Sequence, residues 1–337
     1  MTAAVTTAHG GPEVIEVRTD WTTPRAAPGE AVVEVGAAAV NNTDLWSRRG
    51  AYGTATDPDA IAGWRGVPLD FPRIQGIDVV GTVVEVGSPA DAPLVGRRVL
   101  VDPIIRYLDG FPTEIVGSEA DGGFAQYHRS AAERLHDVTD SPLSNAQLAC
   151  LPTAYGTAIG MVNRAGCEAG ERVLVTGASG GVGMAAVQIL VARSCEVVAF
   201  TSPSKVEVVA AAGPAEVVVR GRDELTGVAE VDAVVDVVGG SEFGSFVDRL
   251  RTGGRLVTAG AIAGPVVQLD IRRLYLEQRT LIGSTMHTPE DFELLAELAR
   301  TGALRPVVAE TYPLTEIATA PRRFDSKDFV GKLVLVP

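Results

Sequence analysis

The segment V-L-V-T-G-A-S-G-G-V-G-M-A-A-V-Q-I-L has a residue spacing that indicates phosphate binding. An apolar strand pattern runs into a glycine-rich turn, and the turn leads into an apolar helix pattern. Measured against the dinucleotide-binding pattern G-x-G-x-x-G, Ala178 replaces the first glycine, whereas Gly180 and Gly183 are kept. Gly180 would let the backbone approach a pyrophosphate, whose oxygens would bind the amides of Gly181 and Val182 at the helix N-terminus. A purely structural turn is the alternative, but the position within a longer series of strands and helices favours dinucleotide binding.

The residues after the next strand pattern indicate which dinucleotide is bound. An NAD site would place Asp or Glu about 20 residues beyond the first glycine, where the acid holds the ribose hydroxyls. Here the strand C-E-V-V-A-F ends in T-S-P-S-K, so Thr201, Ser202 and Lys205 offer two hydroxyls and a cation, and Arg220 and Arg222 follow the next strand pattern. These groups favour the 2′-phosphate of NADP, which an acid would repel. Lys205 could instead simply solvate a helix start, although a cation in the first helical turn is mildly unfavourable.

These candidate ligands require the alternation of strands and helices found in the middle of the chain. Continuous apolar strand patterns such as E-V-V-A-F-T and V-D-A-V-V-D-V-V are separated by helix patterns, which indicates a parallel sheet covered on both faces. We therefore predict a six-stranded, doubly wound Rossmann domain over residues 144–286. Capping residues at Ser141 begin a helix pattern that continues to about Val162.

The first third of the chain has a different pattern. Runs rich in β-branched residues lie at 31–40, 78–87 and 96–101, and Gly or Pro recurs about every 8–12 residues, as in antiparallel barrel-like domains. A last helix pattern precedes the strand-like C-terminus G-K-L-V-L-V-P. The sequence thus predicts an α/β protein whose β-rich catalytic domain is discontinuous, with one part at 1–143 and the other at 287–337.

The composition excludes several classes of function. The net charge of −13 disfavours nucleic-acid partners, which bind clustered Lys and Arg. No segment approaches the roughly 18 uninterrupted apolar residues of a membrane helix, and the start M-T-A-A-V-T-T-A-H-G lacks a signal-peptide pattern. We therefore expect a cytoplasmic protein with a small-molecule substrate. Cys150, Cys167 and Cys195 are scattered and odd in number, which favours reduced thiols over disulfides or a metal site.

A series of motifs, met in order along nearly the whole chain, resembles the medium-chain dehydrogenase/reductase superfamily. Besides the glycine turn and D-V-V-G-G, the motifs are N-N-T-D-L at 41–45, G-I-D-V-V-G at 76–81, D-G-G-F-A-Q-Y at 121–127, R-T-L-I-G-S-T at 279–285 and G-K-L-V-L at 331–335. The resemblance implies a GroES-like catalytic domain beside the Rossmann domain. It also implies a homodimer in which the strand at 279–285 pairs across a twofold axis.

The same resemblance argues against zinc. The zinc alcohol dehydrogenases of the superfamily carry metal ligands where this chain has Asn41, Ile77 and Ala149. Cys150 is one residue away from the third of these positions and would lack partners, since tetrahedral zinc needs at least three protein ligands. The residues at 102–121 include no cysteine, so the structural lobe with four cysteines is missing as well. We therefore expect no metal.

The zinc-free quinone oxidoreductases and enoyl thioester reductases match the chain better. Their N-P-x-D and G-x-Y segments correspond here to N-N-T-D and G-A-Y, so the resemblance carries the role of proton donor to Tyr52. Asn41 would hold the nicotinamide or the carbonyl oxygen by its amide, and Thr43 stands where the zinc enzymes keep a relay hydroxyl. Tyr52 could instead be a packed loop aromatic. The insertion at 54–70 is expected to line or cover the substrate cleft.

The resemblance implies further contacts with the cofactor. The residues concerned are Thr153, Ser179, Val238, Ala261, Ser284 and Lys332. Lys332 could also be a plain surface lysine. Asp44 is interpreted more readily as the cap of a helix than as a proton acceptor, and Asp78 could simply tether its strand to a neighbouring cation.

The expected activity is NADPH-dependent reduction without zinc. Without a Lewis acid, alcohol oxidation loses its main means of stabilising an alkoxide, which favours an activated C=C bond or a quinone as hydride acceptor. Two alternatives stay open. One is a zinc-free carbonyl reductase or alcohol dehydrogenase, with Tyr52 or Thr43 polarising the carbonyl. The other is a non-enzymatic NADPH-binding protein of structural or RNA-associated function.

Overall fold

The computed structural model describes residues 1–52, 69–221, 223, 225–326 and 328–337. Arg222 and nearly all of the predicted cleft insertion therefore lie outside the described residues. The chain forms two compact units. The first unit comprises Met1–Thr153 and Thr288–Pro337, and the second unit comprises Ala154–His287. The domain boundaries predicted from the sequence, 1–143, 144–286 and 287–337, stay a prediction.

The N-terminal segment of the first unit consists mainly of short strands. They are β1 (Ala3–Thr6), β2 (Ile15–Arg18), β3 (Glu30–Ala39), β4 (Arg73–Ile74), β5 (Val80–Val86), β6 (Arg98–Val101), β7 (Ile104–Leu108), β8 (Phe111–Ile115), β9 (Tyr127–Ala131) and β10 (Leu135–Asp137). Two short helices belong to the same segment, α1 (Asn42–Arg48) and α2 (Asn145–Ala149). The long strand β3 pairs antiparallel with both β5 and β9, so it forms the centre of this segment.

The second unit alternates strands and helices. Its elements are α3 (Pro152–Arg164, which begins in the first unit), β11 (Arg172–Val175), α4 (Gly181–Ala192), β12 (Glu196–Thr201), α5 (Val206–Ala210), β13 (Glu216–Val219), β14 (Val231–Asp236), α6 (Phe243–Asp248), β15 (Leu250–Thr258), α7 (Ile271–Tyr275) and β16 (Thr280–Gly283). Within the described residues the sheet has six parallel strands in the order β13-β12-β11-β14-β15-β16. This is the strand order of a doubly wound dinucleotide-binding sheet.

The C-terminal segment returns to the first unit. It contains α8 (Pro289–Thr301), β17 (Val308–Pro313), α9 (Thr319–Ser326) and β18 (Lys332–Val336). Strand β18 pairs antiparallel with β3 and parallel with β17, which gives the sheet order β10-β6-β5-β3-β18-β17, with β9 also on β3. The β-rich unit is therefore built from both ends of the chain, as the predicted fold class requires.

The hydrophobic patterns explain the two cores. In the second unit, β12 and β14 are buried along almost their whole length, as expected for strands covered on both faces. In the first unit, Val33 of β3 and Leu335 of β18 belong to one core cluster, which joins the two chain segments. Across the part of the chain that the structure describes, no helix has the length and apolarity needed to cross a membrane.

The single helix predicted from Ser141 to about Val162 is wrong. Two helices, α2 and α3, occupy this stretch, and α2 ends at Ala149. Pro152 begins α3, where its missing N–H and fixed φ are tolerated. In the middle of a continuous helix the same proline would remove a backbone hydrogen bond and clash with the preceding turn.

Candidate functional site

A buried ion pair joins β18 to the segment before β5 in the first unit. The Nζ of Lys332 lies 3.0 Å from Oδ2 of Asp78, and the two side chains are 7% and 0% exposed. The other oxygen, Oδ1 of Asp78, accepts hydrogen bonds from the Thr153 amide at 2.8 Å and the Thr153 hydroxyl at 2.6 Å. Lys332 is thus not a surface lysine, and Asp78 does tether a neighbouring cation.

Asn41 completes this group of side chains, which we call the Lys332 cluster (Asn41, Asp78, Thr153 and Lys332). Its Nδ2 donates to Oδ2 of Asp78 at 3.0 Å and to the carbonyl of Ala39 at 3.3 Å. Its Oδ1 accepts a hydrogen bond from Nζ of Lys332. Since a primary amide has two N–H groups, both donors of Asn41 are used inside the protein.

Asp44, in the first turn of helix α1, holds the backbone of Asn41 at the start of the helix. The backbone N–H of Asn41 donates to Oδ2 of Asp44 at 2.8 Å, and Gly76 N–H donates to Oδ1 at 3.2 Å. Burial raises the pKa of Asp44 to about 6; the Asn41 backbone hydrogen bond opposes this shift, and the nearby Asp78 charge adds to it. Asp44 therefore caps the helix, as its position in the sequence indicates.

Tyr52 lies beside Thr43 of helix α1. Thr43 lies in the first turn of α1 and its side chain hydrogen-bonds the Tyr52 hydroxyl, while the Tyr52 ring lies 5.8 Å from the ring of Trp46 between centroids. Burial raises the pKa of Tyr52, partly offset by the Thr43 hydrogen bond. A tyrosine of this kind stays protonated at neutral pH, so it can donate a proton but is a poor base.

In the second unit, the glycine turn links β11 to α4 in the predicted way. Gly180 is the N-cap of α4, and its amide donates to the carbonyl of Gly177 at 2.9 Å. A Cβ on Gly183 would lie 2.2 Å from that same carbonyl oxygen, so only glycine lets helix and strand approach this closely. A Cβ on Gly180 would meet the same oxygen only at 3.4 Å, and Gly180 is exposed. The backbone of the turn is thus open to an incoming phosphate group.

The other predicted cofactor residues of the second unit follow the carboxyl ends of the parallel strands. They are Ser179, Gly181 and Val182 after β11, Thr201, Ser202 and Lys205 at the end of β12, Arg220 after β13, Val238 after β14, Ala261 after β15 and Ser284 after β16. Because the carboxyl ends of parallel strands lie at one edge, the sheet brings these residues to the same side. This is the edge where doubly wound sheets bind ligands.

Two buried hydroxyls at this edge fit a polar ligand. Oγ1 of Thr201 and Oγ of Ser284 are buried and have no hydrogen-bond partner among the described residues. Burial lowers the pKa of Lys205, and the charge of Arg220 lowers it further, so these two cations lie close enough to repel each other. An anion would relieve this repulsion. The open turn, the unpaired hydroxyls and the paired cations together fit a phosphorylated dinucleotide.

Asp236 organises this edge and is the residue that sequence reasoning missed. Its carboxylate, which is 0% exposed, accepts hydrogen bonds from the hydroxyls of Thr176 at 2.7 Å and Thr258 at 3.1 Å. It also accepts from the amides of Val238 and Gly239, both at 3.1 Å. Asp236 therefore joins the ends of three neighbouring strands and fixes the loop that carries Val238. The signal in the sequence was an acid at the end of an apolar strand, directly before V-V-G-G.

The residues at the zinc positions do not fit a zinc ion. Ile77 has no donor atom, and the amide of Asn41 is held by Asp78 and by the ammonium of Lys332. The Cys150 thiol donates to the carbonyl of Ala146 at 3.2 Å, and burial raises the pKa of this thiol to about 12. A ligand thiol must lose its proton, and a neighbouring lysine cation repels a metal.

Comparison with known proteins identifies the family. The model of the alcohol dehydrogenase GroES-like domain matches residues 27–140, and the model named zinc-binding dehydrogenase matches residues 181–301. The acryloyl-coenzyme A reductase of Metallosphaera sedula is 30% identical over 99% of this chain and 99% of its own length. The chain belongs to the medium-chain dehydrogenase/reductase superfamily. As a member of this superfamily it is an oxidoreductase that uses a nicotinamide cofactor.

Other members of the superfamily resemble the chain over most of its length. Human quinone oxidoreductase is 26% identical over 97% of this chain and 95% of its own. The structure of a provisionally assigned alcohol dehydrogenase from Sinorhizobium meliloti superposes with a TM-score of 0.94 and 43% identity, covering 100% of this chain and 96% of that protein. The structure of the 2-octenoyl-CoA carboxylase reductase CinF, solved with NADP and 2-octenoyl-CoA, superposes with a TM-score of 0.81 and 26% identity. The match covers 96% of this chain and 82% of that protein.

Proposed function

We propose that this protein is a zinc-independent, NADPH-dependent reductase that transfers hydride to an activated C=C bond, as in an enone or enoyl thioester, or to a quinone. The observation that carries the proposal is the partly buried Tyr52 hydroxyl beside Thr43, on the helix that follows Asn41. Reduction of an enone needs a proton at the α-carbon, and an acid that stays protonated at neutral pH supplies it. Relatives that reduce acryloyl-CoA and quinones support this class of substrate.

The preference for NADPH rests on the carboxyl edge of the sheet in the second unit. Lys205 and Arg220 form a pair of cations after β12 and β13, with the unpaired Thr201 hydroxyl beside Ser202 in the chain. These residues would hold the 2′-phosphate, and the amides of Gly181 and Val182 would hold the pyrophosphate. Ser179, Val238, Ala261 and Ser284 would contact the rest of the dinucleotide. When bound, the reduced nicotinamide supplies the hydride.

The independence from zinc rests on the Lys332 cluster. Asn41, Ile77 and Ala149 offer no thiolate, imidazole or carboxylate at the three metal positions. The cluster instead contains a fixed internal cation, Lys332, which is paired with Asp78. Charge on a substrate oxygen can therefore be stabilised by protein groups rather than by a Lewis acid. We expect a chelator to leave the activity unchanged.

A second candidate is a zinc-free carbonyl reductase. The Sinorhizobium meliloti structure, at 43% identity, is assigned provisionally as an alcohol dehydrogenase, and a Tyr–Thr hydroxyl pair can also polarise a ketone. The non-enzymatic alternative is disfavoured, because the chain belongs to a superfamily of oxidoreductases and its curated relatives are enzymes.

A panel of acceptors distinguishes these functions. Purified protein would be assayed with NADPH or NADH, with and without chelator, on enones, 2-enoyl-CoA thioesters, quinones and ketones. We expect oxidation of NADPH with enones, thioesters or quinones at unchanged rate in chelator. Turnover of ketones alone would establish the carbonyl reductase, and loss of activity in chelator would contradict independence from zinc.

A further inference from the structure

The Lys332 cluster contains two candidate donors to a substrate oxygen, the amide of Asn41 and the ammonium of Lys332. The amide is already committed, because both of its N–H groups donate inside the protein, to Asp78 and to the carbonyl of Ala39. Its Oδ1 is an acceptor and binds Lys332. Asn41 therefore has no N–H left with which to hold a carbonyl or enolate oxygen.

Lys332 differs from Asn41 in this respect. An ammonium has three N–H donors. Two of them are used, by Oδ1 of Asn41 and Oδ2 of Asp78, and the third has no acceptor in the part of the chain that the structure describes. The Lys332 side chain is also 7% exposed, whereas Asp78 is 0% exposed, so only the lysine of this pair reaches the surface of the unit.

The carboxylate of Asp78 is the counterion of Lys332 in this cluster. Asp78 accepts four hydrogen bonds, two on each oxygen, from Thr153, Asn41 and Lys332. These donors satisfy both carboxylate oxygens, and the negative charge of Asp78 balances the ammonium. Asn41 and Asp78 together fix the ammonium in a buried place, where a preorganised cation acts more strongly than in water.

We infer that Lys332, rather than Asn41, donates to the carbonyl oxygen of the substrate and stabilises the negative charge that develops there. This inference rests on the proposed reduction of an activated C=C bond. As the β-carbon accepts hydride, the electron pair of the C=C bond moves to form the enolate, whose oxygen becomes negative. Lys332 keeps its proton and binds this oxygen by its third N–H. The α-carbon then takes the proton of the Tyr52 hydroxyl, the carbonyl is restored, and solvent returns a proton to the tyrosinate. Asn41 is a positioning residue that orients the ammonium.

The test compares the wild-type protein with the double variant Asp78→Asn, Lys332→Met. A single substitution at either position would leave the other member of the ion pair buried without its partner and could unfold the protein. The double variant avoids this, because it buries neither an unpaired carboxylate nor an unpaired ammonium. Activity with an enone, the dissociation constant of NADPH by fluorescence titration, and thermal unfolding would be measured for both.

We expect kcat/KM for the enone to be lower in the double variant than in the wild-type protein by roughly 10- to 150-fold, the range of one charge-assisted hydrogen bond. NADPH affinity and the unfolding temperature should differ little between the two proteins. Equal loss of NADPH affinity and of kcat/KM would show that Lys332 binds the cofactor and would overturn the inference. Equal activity of the two proteins would also overturn it. Failure of the proposed function is recognised separately, since the wild-type protein would then reduce no enone.

Discussion

The hydroxyl of Tyr52 combines two properties that suit a proton donor. It is partly buried, and it lies against the hydroxyl of Thr43, which partly offsets the rise that burial causes in its pKa. The helix that carries Thr43 also begins next to Asn41, which ties this hydroxyl pair to the Lys332 cluster through one rigid element. At the scale of single residues, a protonated acid and a fixed cation are the two groups that define the proposed chemistry.

Replacing Tyr52 by Phe removes the hydroxyl and leaves the ring to pack against Trp46. If Tyr52 protonates the substrate, kcat with an enone should fall by about 10- to 1000-fold, and NADPH affinity should not change. Quinones should be affected less, because they accept hydride without protonation at carbon. Tyr312→Phe is a matched control, since it removes a hydroxyl that bonds Glu310 on β17. Undiminished turnover of enones would make Tyr52 a packed loop aromatic.

Replacing Lys205 by Ala tests the choice of dinucleotide. The variant removes one cation of the pair that Lys205 forms with Arg220, so NADPH should bind roughly 10- to 150-fold more weakly while NADH binding stays the same. Fluorescence titration with both cofactors measures the ratio, and Lys205→Arg, which keeps the charge, is the control. If both cofactors lose affinity equally, Lys205 has a structural role and the assignment to the 2′-phosphate is wrong.

The turn between β11 and α4 makes different demands on its two glycines. At Gly183, an added Cβ would meet the backbone of Gly177 at 2.2 Å, so Gly183→Ala should destabilise the second unit by about 1–3 kcal/mol. At Gly180, the atom nearest to an added Cβ would be 3.4 Å away, so the Gly180→Ala variant should unfold at the same temperature as the wild-type protein. The same methyl group would obstruct phosphate at the exposed turn, and NADPH should bind at least about tenfold more weakly.

Thermal unfolding and NADPH titration of the two variants check this contrast. Native NADPH affinity in Gly180→Ala would show that the pyrophosphate does not approach this turn. An unchanged unfolding temperature in Gly183→Ala would show that the helix and the strand can separate without cost.

The elements were predictable to the extent that their patterns are local. The continuous apolar strands of the second unit and its order of strands and helices follow from the sequence, because each strand is covered on both faces. The break between α2 and α3 was missed although Pro152 marks it, since the helical periodicity of the flanking residues concealed the break. The pairing of β18 with β3 was not predicted, because contacts between the two ends of a chain leave no periodic signal.

The candidate site was predictable only in part for the same reason. The glycine turn can be recognised from the spacing of its residues. The ion pair of Asp78 with Lys332, in contrast, joins residues 254 positions apart in the sequence. Asp236 binds hydroxyls and amides from three strands, and no single segment of sequence shows that convergence. Asn41 was expected to hold the nicotinamide or a carbonyl oxygen by its amide, and this stays a prediction. That its N–H groups donate to Asp78 and Ala39 could be seen only in the fold.

At the scale of the whole molecule, the edge of the second unit's sheet supports a proposed homodimer. Among the residues that the structure describes, strand β16 pairs only with β15, and Leu281 on it is 38% exposed. The nearby chain segment also exposes apolar residues, with Ile271 at 66%, Tyr275 at 61% and Leu276 at 68%. An unpaired strand edge beside exposed apolar side chains is a surface that another copy would cover.

Leu281→Lys tests this arrangement by placing a charge on the edge strand. We expect light scattering at micromolar concentration to give a dimer mass for the wild-type protein and a monomer mass for the variant. Leu108→Lys is the matched control, because Leu108 is 62% exposed on the β7–β8 hairpin of the other unit, and it should stay dimeric. A wild-type protein of monomer mass would contradict the proposal.

The position of a transferred deuterium tests the central claim most directly. Chelator-treated protein would be incubated with an enone and with NADPH that carries deuterium on both faces of the transferable position, and the product would be examined by mass spectrometry and NMR. The account predicts one deuterium on the β-carbon of the saturated ketone, in the same yield as without chelator. Deuterium on the carbonyl carbon of an unsaturated alcohol, or transfer that stops when metal is removed, would contradict it.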